Sequence, residues 1–139
     1  MQVFLDSSCI IFGLESSKSN SAKILNLILE GKIEAFVSER VLLEVRDYFR
    51  RRRSRQYAFL VESIIRKNVI TLYRNELLEE MEKWKGKIKE KDLEQIAAVK
   101  KLGLEHLIGY DRDFESFKEY KTPRQFMGFI KQEPSKTEY

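Results

Sequence analysis

Four carboxylates stand apart in the 139-residue chain, each where the local pattern changes. Asp6 ends the apolar run Val3-Phe4-Leu5, Glu44 lies inside a helical pattern, Asp92 opens another, and Asp111 follows Leu107-Ile108. If the apolar runs are parallel strands, their carboxyl ends share one edge of a sheet, where open α/β folds bind ligands. Carboxylates gathered there make a hard, oxygen-rich pocket suited to Mg²⁺ or Mn²⁺. Each also has a plain structural role. Asp6 can cap a helix, Asp92 can favour a helix N-terminus, Glu44 can be solvated, and Asp111 can form a turn. Glu44 fits the plain role least, because it stands beside the apolar positions of Val41-Leu42-Leu43-Glu44-Val45 and a buried carboxylate needs a partner.

The elements that would position these groups follow from periodicity and punctuation. Gln2–Leu5 reads as a buried strand halted by Asp6-Ser7-Ser8, with a short helix around Cys9–Leu14. Ala22, Ile24, Leu25, Ile28 and Leu29 define a helix that Gly31 ends, and Ile33–Val37 is a second strand. Ser38 caps a helix carrying Val41, Leu42, Val45, Tyr48 and Phe49. The next helix runs from about Ser54 to Lys67, with Phe59, Leu60, Ile64 and Ile65 as its core face. Val69–Leu72 is a third strand, and Leu77, Leu78, Met81 and Trp84 outline another helix. Leu93, Ile96, Ala97 and Val99 form the helix that Gly103 ends, before a strand at His106–Gly109. Phe126–Ile130 fits either a closing helix or an edge strand. Strands alternating with helices predict an α/β domain with a mainly parallel sheet of four to five strands.

Length predicts a single domain over residues 1–131, with residues 132–139 as a flexible tail. No apolar run approaches the ~20 residues that span a bilayer, and the N-terminus lacks a basic, signal-like region. Cys9 is the only cysteine, which excludes an intramolecular disulfide and a thiolate zinc site and points to a reducing cytoplasm. The net charge of +4 suits a polyanionic partner without requiring one. The densest positive charge is Arg50, Arg51, Arg52, Arg53 and Arg55. That run reads either as a phosphate-backbone contact or as a solvated helix junction. The aromatic residues read mostly as core or interface, and His106, the sole histidine, as structural.

The ordered phrases resemble those of PIN-domain nucleases. Val3-Phe4-Leu5-Asp6-Ser7-Ser8 is similar to the strand, Asp and small polar pair that open the family, and Ser38 through Val45 to its second motif. Asp92 through Gly103 resembles the third, an Asp starting an Ala-rich helix that ends in Leu-Gly. Ile108-Gly109-Tyr110-Asp111-Arg112-Asp113-Phe114 is similar to the fourth, and Thr122-Pro123-Arg124-Gln125-Phe126 to a phrase near many PIN C-termini. The family often has Thr or Ser two residues before the fourth carboxylate, where this chain has Gly109.

The resemblance implies a three-layer α/β/α PIN-like domain and phosphodiester hydrolysis with one or two Mg²⁺ or Mn²⁺ ions. The catalytic set would be Asp6, Glu44, Asp92 and Asp111. Asp6, Asp92 and Asp111 would be ligands, with Glu44 and Asp113 available to join them and Ser7 or Ser8 supporting a neighbouring carboxylate. It further implies a ribonuclease similar to VapC-type toxins, forming a homodimer and meeting a cognate antitoxin. A stand-alone PIN nuclease of RNA processing, or a non-catalytic PIN scaffold binding RNA or protein, is the alternative. An Asp-x-Asp phosphatase reading of Asp111-Arg112-Asp113 fits poorly, because that motif usually opens the chain.

Overall fold

A computed structural model describes residues 1–131, 134–136 and 138. The elements run β1 (Gln2–Leu5), α1 (Ser7–Glu15), α2 (Asn20–Leu29), β2 (Glu34–Ser38), α3 (Glu39–Arg52), α4 (Arg55–Asn68) and β3 (Ile70–Leu72). They continue with α5 (Arg74–Trp84), α6 (Leu93–Leu102), β4 (Leu107–Ile108), β5 (Tyr120–Lys121) and α7 (Pro123–Phe129). The strands form one all-parallel sheet in the order β3-β2-β1-β4-β5, flanked by helices.

β1 lies at the centre because its side chains suit nothing else. Val3, Phe4 and Leu5 are fully buried, as expected of a strand covered on both faces. Phe4 pairs with Phe36 on one side and Leu107 on the other, and Leu5 pairs with Ile108. This register places Asp6 and Gly109 side by side at the carboxyl edge, where the Asp6 N–H donates to the Ile108 carbonyl at 3.0 Å. Ser38 ends β2 at the same edge and caps α3, its hydroxyl accepting from the Val41 N–H at 3.3 Å. α6 packs on β1 and β2 and against α5. It ends at Gly103, whose φ of 62° is the left-handed region that a helix stop requires.

One open alternative is decided and one expectation is corrected. The segment after Thr122 is a helix, and the fifth strand is Tyr120–Lys121, which pairs in parallel with β4. Of the core face predicted for α4, only Ile65 packs against the core. Ala58 and Val61 are buried and Ile65 is partly so, whereas Phe59, Leu60 and Ile64 are 68%, 57% and 54% exposed. α4 packs chiefly on α3, so one narrow stripe at positions 58, 61 and 65 meets its neighbour. Ala58 keeps that contact close, and Phe49 and Tyr57 meet beside it with ring centroids 5.3 Å apart.

Residues 132, 133, 137 and 139, on which part of the flexible-tail expectation rests, lie outside the described residues. Of the remaining tail, the Ser135 N–H donates to Asn20 Oδ1 at 2.7 Å, and Asn20 Nδ2 donates back to the Ser135 carbonyl at 3.3 Å. No helix among the described residues is long and apolar enough to cross a membrane.

Candidate active site

The carboxyl edge of the sheet brings the acidic residues into two adjoining groups. Asp92, Asp111 and Asp113 each offer a carboxylate oxygen, and these atoms lie within 4.8 Å of one another. Asp92 is almost wholly buried at the start of α6, and its Oδ2 is buried without a hydrogen-bond partner among the described residues. Asp111 ends the β4 loop and caps a short 3-10 turn, its Oδ1 accepting from the Asp113 N–H at 2.9 Å. That turn aims Asp113 into the same space.

Asp6 and Glu44 form the second group. Asp6 precedes α1 but does not cap it with its side chain. Its Oδ2 accepts from the Ser8 hydroxyl at 3.0 Å and its Oδ1 from Gln95 Nε2 at 3.4 Å. Ser8 Oγ also accepts the Tyr110 N–H at 3.1 Å, so one hydroxyl ties β1's carboxylate to the β4 loop. The Ser7 hydroxyl stabilises the ionised form of the Glu44 carboxylate. Glu44 itself corrects the burial expectation. It lies on the open side of α3 and is solvent-exposed, so it is not a core carboxylate and is only partly desolvated by its neighbours. Arg50, Arg51, Arg52, Arg53 and Arg55 are exposed at the α3–α4 junction and make no ion pair with these carboxylates.

The charges interact. Burial pushes the Asp6 carboxyl up, with Asp111 adding to the rise, while hydrogen bonds from Ser8, the Ser7 backbone and Gln95 oppose it. Asp92 is pushed up to about 6 by burial and then by Asp111, against the pull of Lys91. Glu44 is raised by partial desolvation at the site mouth and by Asp6, with Arg40 opposing. Asp113 moves the other way because Lys89 holds it, Nζ to Oδ2 at 3.1 Å. Lys91 Nζ lies 3.4 Å from Asp113 Oδ2 and 3.7 Å from Asp111 Oδ2. Two lysine ammoniums thus supply the positive charge that the oxygen cluster demands.

The donor set fits a divalent cation. It is all-oxygen, it converges from three carboxylates, and one buried oxygen has no partner among the described residues. Three contributors escaped the sequence reading. Gln95 lies one helical turn after Asp92, so its polarity inside an Ala-rich helix was the available signal. Lys89 and Lys91 gave no signal beyond proximity to Asp92, since exposed lysines are ordinary.

The PIN domain family model matches residues 3–120. The chain belongs to the PIN domain family. Solved structures similar to this PIN protein include VapC20 of Mycobacterium tuberculosis, described as a Sarcin-Ricin loop cleaving toxin. It is 19% identical, with a TM-score of 0.60 over 82% of this chain and 93% of that one. A toxin–antitoxin complex from Klebsiella pneumoniae is 17% identical, with a TM-score of 0.67 over 87% and 97%. VapBC2 from Rickettsia felis, bound to a promoter DNA fragment, is 14% identical, with a TM-score of 0.60 over 88% and 98%. At these identities the likeness is one of fold. Comparison with curated protein sequences gives no match.

Proposed function

We propose that this PIN protein is a metal-dependent endoribonuclease of the cytoplasm, hydrolysing RNA phosphodiester bonds as the toxin of a toxin–antitoxin pair. The convergence of Asp92, Asp111 and Asp113 around an unpartnered buried oxygen carries the reading. Asp6, Asp92 and Asp111 would hold one or two Mg²⁺ or Mn²⁺ ions, with Asp113 completing the set. A divalent ion held there supplies Lewis acidity that neutralises phosphate charge and makes water a stronger nucleophile.

The protein's own groups do the rest. Ser8 and Gln95 fix the Asp6 carboxylate from two sides, so its oxygens keep one orientation. Glu44, exposed at the mouth with a raised pKa, is placed to orient a water or take its proton. Lys89 and Lys91, on exposed side chains, can turn from the carboxylates to the substrate phosphate. The toxin assignment draws on the fold shared with the Mycobacterium, Klebsiella and Rickettsia proteins, and it brings a cognate antitoxin and a homodimer with it. The exposed apolar row Phe59, Leu60 and Ile64 on α4 supports a second copy as its cover.

The test is RNA cleavage by purified protein with Mn²⁺ or Mg²⁺, beside Asp6→Asn and Asp92→Asn. We expect cleavage that needs the ion and falls at least about 100-fold in each variant. A clean preparation that cleaves no RNA with either ion overturns the reading.

A further inference from the structure

The β4 loop that carries Asp111 and Asp113 is pegged at several points. The Gly109 N–H donates to the Lys121 carbonyl at 3.2 Å, and the Gly109 carbonyl accepts from the Tyr120 hydroxyl at 3.0 Å. Tyr110, the residue before Asp111, is held at both ends. Its N–H donates to Ser8 Oγ at 3.1 Å, and the same Ser8 hydroxyl donates to Asp6 Oδ2 at 3.0 Å. Its phenol oxygen lies 2.8 Å from Ser21 Oγ, a hydrogen bond of ordinary length in which either hydroxyl can donate. Glu138 Oε1, 3.5 Å from that phenol oxygen, is a far weaker partner. The ring between these two ends is half-buried and meets Phe12 edge-on, with centroids 5.3 Å apart.

Ser21 is itself held in place. It is fully buried in the first turn of α2, which Ser19 caps by accepting from the Ala22 N–H at 3.0 Å. α1 meets α2 there at Gly13. A Cβ at Gly13 would lie 3.0 Å from the Ser21 carbonyl carbon and 2.6 Å from Leu25 Cδ1. The missing side chain at 13 therefore lets α1 rest on the α2 backbone at this serine. A buried hydroxyl needs a partner, and Ser21 finds one on another element, the phenol of the β4 loop. Ser8 stands on α1 and Ser21 on α2, so both ends of Tyr110 are referenced to one locked pair of helices. Asp6 hangs from the same Ser8.

We propose that Tyr110 and Ser21 are positioning residues for the acidic site: their hydrogen bond fixes the start of the β4 loop against α1 and α2, and so sets where Asp111 stands relative to Asp6. The proposal rests on the metal-dependent reading of those carboxylates. Both residues act through Asp111 and Asp6, not on the ion. Carboxylate oxygens around a small divalent cation must converge within a narrow range of distances. A loop free to swing has to be ordered when the ion enters, which weakens binding, whereas a loop already pegged presents Asp111 without that cost. Tyr110 thus joins the residues that the sequence reading passed over, because its partner lies 89 positions away in the chain.

The experiment is calorimetric titration of the full chain with Mn²⁺, comparing wild type, Tyr110→Phe, Ser21→Ala and the double variant. Tyr110→Phe keeps the ring and its contact with Phe12. Each single variant should bind Mn²⁺ about 2- to 10-fold more weakly, the scale of one hydrogen bond. The double variant should bind no more weakly than either single one, because both substitutions remove the same bond. Val61→Ala, in the α3–α4 contact, serves as the control for stability alone. It should melt earlier than wild type and still bind Mn²⁺ with wild-type affinity. Single variants that keep full Mn²⁺ affinity, losses that add in the double variant, or an equal loss in Val61→Ala overturn the proposal. RNA cleavage by wild-type protein, run alongside, separates the two readings. A wild type that cleaves, with variants that keep full Mn²⁺ affinity, overturns the positioning role alone. A wild type that neither binds Mn²⁺ nor cleaves overturns both.

Discussion

Gly109 and Asp6, the residues just after adjacent strands β4 and β1, lie so close that a Cβ on Gly109 would be 2.8 Å from the Asp6 Cβ. The same Cβ would lie 3.2 Å from both Asp6 Oδ2 and Ser8 Oγ. The absent side chain at 109 is therefore what leaves room for the Asp6 carboxylate and its Ser8 hydrogen bond. Ser8 supplies from α1 a hydroxyl of the kind that relatives often carry at the Gly109 position. Gly109→Ser should force Asp6 out of place, lowering stability by about 1–3 kcal/mol as overpacking does. Mn²⁺ affinity should fall tenfold or more, read by calorimetric titration beside thermal unfolding. A variant that binds Mn²⁺ as wild type does would show that the site tolerates a displaced Asp6.

Lys89 and Lys91 neutralise the cluster when no ion is bound, so they oppose any cation that enters. Lys89→Met and Lys91→Met should each tighten Mn²⁺ binding roughly two- to fivefold, the scale of an exposed ion pair. The ion-free variants should melt earlier than wild type, because the carboxylates then repel one another without compensation. Added Mn²⁺ should erase that difference. Weaker Mn²⁺ binding in either variant would mean that the lysines shape the site instead of competing for it.

Much of the frame was legible in the sequence because its signals are local. The apolar run before Asp6, the serine cap at Ser38 and the glycine stop at Gly103 each follow from one element's chemistry. What escaped depends on pairing between elements. β5 holds only Tyr120 and Lys121, too short for any periodic signal, and exists because β4 offers it an edge. α4 carries apolar residues on more than one face, and only its docking on α3 decides that Ala58 and Val61 go inside while Phe59 stays out. In the site, the ordered motifs single out Asp6, Glu44, Asp92 and Asp111 with Asp113 in reserve, whereas the grouping of Asp113 with Asp92 and Asp111 depends on the turn after β4. The hydrogen bonds of Gln95 and Ser8 to Asp6 join different elements and have no sequence signature.

The exposed row on α4 gives the proposed homodimer a direct check. Because Leu60 and Ile64 contribute little to the monomer's core, Leu60→Glu and Ile64→Glu should leave the folded monomer's stability within about 0.5 kcal/mol. Sedimentation at micromolar concentration should show dimers for wild type and monomers for either variant. Dimers that survive both substitutions would place the contact elsewhere.

Acid should act on the site through Asp92. Its folded pKa of about 6 exceeds the ordinary 3.8, so between these values the folded protein keeps a proton that the unfolded chain has released. Stability from this group is therefore full below about pH 4, falls as pH rises toward 6, and is flat above. Asp6 and Glu44, also raised, act in the same direction. His106, buried between Phe126 and Phe129 with a lowered pKa, acts oppositely, losing stability as pH falls below 6.5. Comparing wild type with Asp92→Asn cancels His106 and the groups remote from the site, leaving Asp92 and the carboxylates coupled to it. Ion-free Asp92→Asn should match wild type near pH 4 and exceed it in melting temperature above pH 6, where the wild-type carboxylate is charged and buried. Mn²⁺ should reverse the order at pH 7, because only wild type offers the ion that charge. Its affinity for wild type should drop about tenfold per pH unit below 6, as one proton competes for the site. A melting difference between the two proteins that does not change from pH 4 to 7 would mean that Asp92 keeps an ordinary pKa.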